Sequence, residues 1–107
     1  MIRRTSGSDW LLISQVDHAR LAGDLASAWQ TPTAPLPEPA LRVPAVTHHD
    51  DGWAAWETAP TINPDTGVPR SFTEMLPADS TQIWTRSIDA CSAISPLAGI
   101  WVSRHFC

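Results

Sequence analysis

The sequence predicts a small all-α domain of about four helices with one long irregular loop. Apolar residues recur every three or four positions in several segments, which is the spacing of a buried helix face. Ten prolines, together with Ser and Asp residues suited to helix capping, divide these segments from one another. At 107 residues the chain is long enough for one domain and too short for two. We therefore expect a single helical domain over residues 1–107.

The first predicted helix runs from Trp10 to Trp29, behind the N-cap pair Ser8-Asp9. His18 belongs to its apolar stripe, which also contains Leu25 and is expected to face the core. Small residues flank His18, so another helix or an ion could approach it closely. This segment thus predicts a histidine directed at the protein interior.

The second predicted helix runs from Leu41 to about Asp51. The preceding segment, residues 31–39, contains four prolines and is expected to form a short, stiff connection. Pro44 lies in the first helical turn, where the missing N–H costs little. Gly52 is expected to terminate the helix.

Residues 53–79 contain four further prolines and are predicted to be irregular; such a long loop in a small domain is usually functional. A third helix is predicted from Thr81 to about Ile94, capped by Asp79 or Ser80.

Ser95-Pro96 predicts the start of a fourth helix, Leu97 to Phe106. Because that helix still runs where the sequence stops at Cys107, we expect the chain to be an N-terminal fragment of a longer protein.

The composition excludes several classes of partner. The formal net charge is −4, and all seven cationic residues are Arg, so we expect no basic patch and no nucleic-acid partner. The sequence contains neither a secretory signal pattern nor an apolar run long enough for a bilayer, so we expect no membrane association. Two cysteines without C-x-x-C spacing indicate a reducing compartment, and we expect a cytoplasmic protein. The sequence gives no indication of the oligomeric state.

The doublet His49-Asp50 is the strongest indication of chemistry, because an imidazole and a carboxylate side by side can bind one metal ion. His18 stands 31 residues earlier. Asp50 and Asp51 fall at a predicted helix C-terminus, where each acid is disfavoured by ~0.3–1 kcal/mol, so a cation would offset them. The alternative is a solvated acidic helix end with His48 and His49 as ordinary surface residues. The residues alone leave both interpretations open.

Three further residues are candidates for the same site. His105 lies in an apolar setting on the fourth helix and could be a further metal ligand or a phosphate-facing acid; otherwise it is a core residue with one hydrogen bond. Asp51 could hold a nucleophilic water as general base, or occupy a solvated position behind the ligands. Trp53 follows the doublet and is predicted to wall a substrate pocket, where an indole could stack on a flat ligand.

The chain resembles a bacterial family known as domain of unknown function 3891. The resemblance rests on three stretches, namely residues 11–26 around His18, residues 45–57 around His49-Asp50, and residues 83–106 with His105 near the end. That family is similar to a divergent branch of the HD-domain metal-dependent phosphohydrolases, in which a helical His, a His-Asp doublet and a later Asp bind a divalent ion. The resemblance implies that His18, His49 and Asp50 are ligands, and that the last ligand is Asp89 or an Asp beyond Cys107.

The predicted function is a metal-dependent phosphohydrolase that acts on a small phosphorylated molecule. The cofactor would be a divalent metal ion, with Fe, Mn, Mg and Zn not distinguished. The alternative is a non-catalytic ligand-binding or regulatory helical module with a degenerate metal site. A structural zinc site is less favoured, because such sites usually recruit more cysteines than this chain has.

Overall fold

The computed structural model describes residues 1–29 and 38–106. This part of the chain is mostly helical, as predicted, but it begins with an unpredicted two-stranded hairpin. The elements are β1 (Ile2–Ser6), β2 (Asp9–Ile13), α1 (Gln15–Ala28), α2 (Pro39–His48), α3 (Ala54–Glu57), α4 (Pro77–Ile94) and α5 (Pro96–His105). Two 3₁₀ turns cover Asp51–Trp53 and Phe72–Glu74. None of the described helices combines the length and apolar character needed to cross a bilayer.

The hairpin corrects the predicted start of the first helix. Strands β1 and β2 pair antiparallel from Ile2 opposite Ile13 to Ser6 opposite Asp9. Gly7 takes a φ of 61° in the intervening two-residue turn, a conformation that favours glycine. The N-cap of α1 is Ser14, whose side chain accepts a hydrogen bond from the Asp17 N–H. The predicted cap Ser8-Asp9 instead belongs to the hairpin.

The buried face of α1 is not the predicted stripe, because His18 and Leu25, which were expected to face the core, are both exposed. Its buried residues are Gln15, Ala19 and Gly23, whereas Leu25 is 63% exposed. A Cβ atom on Gly23 would lie 2.1 Å from Oγ1 of Thr47 in α2. The two helices therefore approach too closely for large side chains between them. The large apolar residues Leu21 and Leu25 of α1, and Trp29 directly after it, are exposed outside this contact.

The core lies between α2, α4 and α5. Its buried members are Ala45, Cys91, Ala98 and Val102, with Leu41, Ile88, Trp101 and Phe106 packed against them. Helix α4 begins at Pro77, a few residues before the predicted start. Helix α5 agrees with its prediction, since the Ser95 side chain accepts a hydrogen bond from the Leu97 N–H at the helix start. The three helices thus form a scaffold against which α1 and the hairpin are placed.

Helix α3 interrupts the loop that was predicted over residues 53–79, whereas the segment between α3 and α4 is irregular, as predicted. Hydrogen bonds join this segment to the hairpin. The guanidinium of Arg3 donates to both carboxylate oxygens of Glu74, at 3.1 and 3.0 Å, and to the carbonyl oxygen of Pro69. The Phe72 N–H donates to the Met1 carbonyl at 2.8 Å. The hairpin and this segment therefore support one another although neither is helical.

Candidate metal centre

A cleft of about 410 Å³ opens between α1, α2 and α5. It is lined by His18, Ala22, Arg42, Ala45, Val46, His49, Trp101, Val102 and His105. On each helix the lining residues are adjacent or three or four positions apart, so each helix presents one face to the cleft. The volume is in the range of small-molecule sites, which are ~300–1,000 Å³. The cleft is therefore sized for a small ligand rather than for a polymer.

His18, His49 and Asp50 converge, as predicted; the two histidines line the cleft, and Asp50 lies beside them outside the lining. One ligand atom from each lies within 4.8 Å of the other two. Ligand bonds of about 2.0–2.2 Å place opposite ligands of one ion at most ~4.4 Å apart. The three atoms are therefore spread more widely than one coordination shell, and the side chains would have to move closer together for all three to bind one ion. Asp50 is only 3% exposed, whereas His18 is open to solvent.

The hydrogen bonds of His49 direct one ring nitrogen at Asp50. Nδ1 lies 2.6 Å from the Val46 carbonyl oxygen, which can only accept, so Nδ1 carries a proton. Nε2 lies 3.2 Å from Oδ2 of Asp50. In a neutral ring, two lone-pair atoms would then face each other, which is unfavourable unless a cation or a proton lies between them. A metal-binding histidine commonly has this arrangement, with its second ring N–H on a backbone carbonyl.

The electrostatics of His49 agree with this geometry. Burial disfavours the imidazolium, but the hydrogen bonds to Asp50 and Val46 and the charges of Asp50 and Asp51 outweigh it. The pKa of His49 is therefore raised above its ordinary value. Without metal, the position between His49 and Asp50 is thus favourable for a proton, and a metal ion would have to displace that proton.

His105 lies beside this group but is not one of its three members. Its ring centroid is 4.8 Å from that of His49, in an edge-on arrangement at 81°. Burial, together with the neighbouring rings of His49 and His18, lowers the pKa of His105 below its ordinary value. At neutral pH, His105 therefore presents a neutral imidazole to the cleft.

The structure does not bring Asp51, Trp53 or Asp89 to the cleft lining. Oδ2 of Asp51 lies 2.8 Å from Nδ1 of His48, so the carboxylate of Asp51 is hydrogen-bonded to His48. Trp53 is 3% exposed and packs edge-on against Trp56, with 5.6 Å between ring centroids. Asp89 is exposed on α4. The aromatic wall of the cleft is Trp101 on α5 instead.

Arg42 and Trp101 are cleft residues that the sequence analysis missed. The guanidinium carbon of Arg42 lies 4.5 Å from the ring centroid of Trp101. Arg42 precedes His49 by seven positions and Trp101 precedes His105 by four, so helical spacing places each on the same face as a candidate histidine. That spacing could have identified both residues.

The turn that carries the doublet rests directly on α4. The Gly52 N–H donates to Oγ of Ser87 at 3.0 Å, and a Cβ atom on Gly52 would lie 2.1 Å from the Ile83 carbonyl oxygen. Gly52 is therefore required by close contact within a 3₁₀ turn, and the prediction that Gly52 terminates the second helix is wrong.

The thiol of Cys91 is not reactive in this environment. Burial and the charge of Asp51 raise the pKa of Cys91 to about 11, so this thiol stays protonated at neutral pH.

Glu57 fixes the start of α1 relative to the doublet. Its Oε1 accepts a hydrogen bond from the Gln15 N–H at 2.7 Å and lies 2.9 Å from the Met1 amino nitrogen. Gln15 precedes His18 by less than one helical turn. The hydrogen bond to Glu57 therefore helps to fix the position of His18 relative to His49 and Asp50.

The comparisons with known proteins identify the family of the chain but no activity. No curated protein and no solved structure matches the chain. The family model described as "Protein of unknown function (DUF3891)" matches residues 1–107. Because this match extends over all 107 residues, the chain belongs to the DUF3891 family.

Proposed function

We propose that this protein binds a divalent metal ion through His18, His49 and Asp50 and hydrolyses a phosphate ester of a small molecule. The observation that carries the proposal is the close approach of Nε2 of His49 to Oδ2 of Asp50 at 3.2 Å. The other ring nitrogen of His49 is already committed to a backbone carbonyl. A divalent cation between these two atoms would relieve their repulsion and offset the buried charge of Asp50.

The donor set fits such an ion. Two imidazole nitrogens and one carboxylate oxygen suit Fe, Mn or Zn better than Mg, which prefers an all-oxygen shell. Three protein ligands leave coordination positions for water and substrate. When bound, the ion would supply Lewis acidity toward a phosphoryl oxygen and make water more acidic.

The surrounding residues can perform the remaining tasks of a hydrolase. The neutral imidazole of His105 can accept a proton from an attacking water. Arg42 supplies a fixed positive charge in the same cleft. The resemblance to HD-domain phosphohydrolases supports the reaction class, and the order His18, then His49-Asp50, matches the ligand order of that superfamily.

Metal content tests the binding half of the proposal. The protein is stripped with a chelator, reloaded separately with Mn²⁺, Fe²⁺, Zn²⁺ or Mg²⁺, desalted and analysed by mass spectrometry. We expect about one ion per chain with the preferred metal and its loss in His49→Ala and Asp50→Asn. His48→Ala is the matched control, because His48 is the adjacent imidazole outside the ligand group. Equal metal retention in all four proteins would contradict the site.

Hydrolysis of p-nitrophenyl phosphate tests the catalytic half. We expect turnover by the metal-loaded wild type and by His48→Ala, with loss in Asp50→Asn. A protein that retains metal but releases no inorganic phosphate from this ester or from a panel of nucleoside monophosphates would favour the non-catalytic binding module over the hydrolase.

A further inference from the structure

Arg42 holds a positive charge in the cleft without a carboxylate partner. Among the described residues, no ion pair joins its guanidinium to an acid, and its Nε is buried without a hydrogen bond. A guanidinium without a counter-charge is stabilised by an oxyanion, and Arg42 lines the cleft from which such an anion would approach. This differs from Arg3, whose guanidinium is taken up by Glu74 and Pro69.

Trp101 orients this guanidinium. The guanidinium carbon lies 4.5 Å from the indole centroid, within the range of a cation–π contact. Stacking on a ring restricts a flexible arginine while its planar fork of N–H groups remains available to an oxyanion. Both residues line the same cleft as His18, His49 and His105.

The other residues that line the cleft indicate the chemistry of the rest of the ligand. Ala22, Ala45, Val46 and Val102 are apolar, and Trp101 adds a flat surface. A ligand that fits must therefore combine an oxyanion with a compact apolar or planar part.

We infer that Arg42 is the anion-binding residue of the cleft, recognising the phosphate or carboxylate of a small molecule whose apolar or planar part lies against Trp101. Phosphate and carboxylate share the oxyanion geometry that the guanidinium fork recognises. The inference rests on the proposed function only in naming this ligand as the substrate. The anion contact itself requires no metal.

Calorimetric titration of the metal-free protein tests the contact under conditions that prevent metal-dependent turnover. The probes are phenyl phosphate, benzoate and, as a neutral control, phenol. We expect one of the two anions to bind and phenol to bind at least about tenfold more weakly, because hydrogen bonds to charged groups are the stronger ones. The preferred anion identifies the class of substrate.

The decisive variant is Arg42→Gln, for which we expect a loss of anion affinity of about tenfold or more. Arg104→Gln is the matched control, because Arg104 is exposed on α5 outside the cleft lining, and its affinity is expected to stay within about twofold of wild type. Arg42→Lys keeps the charge without the fork and is expected to be intermediate. If the Gln variant fails to fold, the Lys variant and the Arg104 control decide the comparison.

Two outcomes overturn the inference: wild-type affinity for the anions in Arg42→Gln, or no binding of either anion to wild type at millimolar concentration. The metal proposal is tested separately, by titrating Mn²⁺ into wild type and Arg42→Gln without an anion, where equal affinities are expected. If wild type binds the anion but not metal, the proposed function fails while the role of Arg42 stands.

Discussion

Gly52→Ala is expected to destabilise the protein strongly although it adds one methyl group. The new Cβ would lie 2.1 Å from the Ile83 carbonyl oxygen and 2.8 Å from the Ser87 backbone nitrogen. Van der Waals contact between heavy atoms is near 3.5 Å, so the turn must retreat from α4 by about 1 Å. Both obstructing atoms belong to the helix backbone and cannot rotate away.

The size of the effect follows from two contributions. Overpacking of a well-filled interior costs ~1–3 kcal/mol. The retreat also breaks the 3.0 Å hydrogen bond from the Gly52 N–H to Ser87, and an unsatisfied buried donor costs ~1–3 kcal/mol. Together we expect a loss of roughly 2–6 kcal/mol in the free energy of unfolding. For a domain of this size that lowers Tm by roughly 10–40 °C.

Urea denaturation followed by tryptophan fluorescence measures this loss. The matched control is Gly67→Ala, which makes the same change where a Cβ meets open space but φ is 69°; its cost is about 1 kcal/mol. The reasoning is refuted if the urea midpoint of Gly52→Ala is as high as that of Gly67→Ala with an unchanged m value.

Three further outcomes are expected. His105→Ala should weaken Mn²⁺ binding less than His49→Ala does, measured by calorimetry, because His105 lies outside the ligand group; equal losses would place it among the ligands. The raised pKa of His49 stabilises the metal-free fold most fully below about pH 6.5, and this contribution is lost as pH rises through the folded pKa. In His49→Ala the urea midpoint should therefore depend less on pH between about pH 6 and 8 than it does in wild type. The Ser71 N–H and the guanidinium of Arg3 lower the pKa of Glu74, so its contribution is present above the unfolded pKa and lost as pH falls through the folded one. Glu74→Gln should remove part of the acid-induced fall in urea midpoint, and an unchanged acid profile would contradict this.

Helices α2, α4 and α5 were predictable because local chemistry and packing agree there, whereas the short helix α3 falls in a segment predicted to be irregular. Ser95-Pro96 caps α5 in the structure by the interaction that the sequence indicates. The hairpin was missed although Gly7-Ser8 is a two-residue turn signal, because the apolar spacing from Trp10 onward continues into α1 and imitates a longer helix.

The buried face of α1 could not be read from hydrophobicity. Its orientation is set by how closely α1 approaches α2, and Gly23 decides that distance through contact with Thr47. A scale that ranks Leu above Gly as a core residue therefore selects the wrong face. The same limit applies to Trp53, which is buried against Trp56, while the cleft wall comes from α5.

The convergence of His18 with His49 and Asp50 was predictable because residue type and order indicate a candidate metal site before any fold is known. The residues that hold this group in position could not be predicted. The Val46 carbonyl and the Ser87 hydroxyl act through backbone atoms and tight contacts that carry no distinctive sequence pattern.

The convergence of His18 with His49 and Asp50 also has a consequence for chain entropy. Thirty-one residues separate His18 from His49, and the proline-rich connection runs between them. A cross-link that closes a loop of this length restricts the unfolded chain by an amount equivalent to about 4 kcal/mol. A bound ion would therefore act as a reversible cross-link between α1 and the helices α2, α4 and α5. Chelation should then loosen the hairpin and α1 before the contacts among α2, α4 and α5.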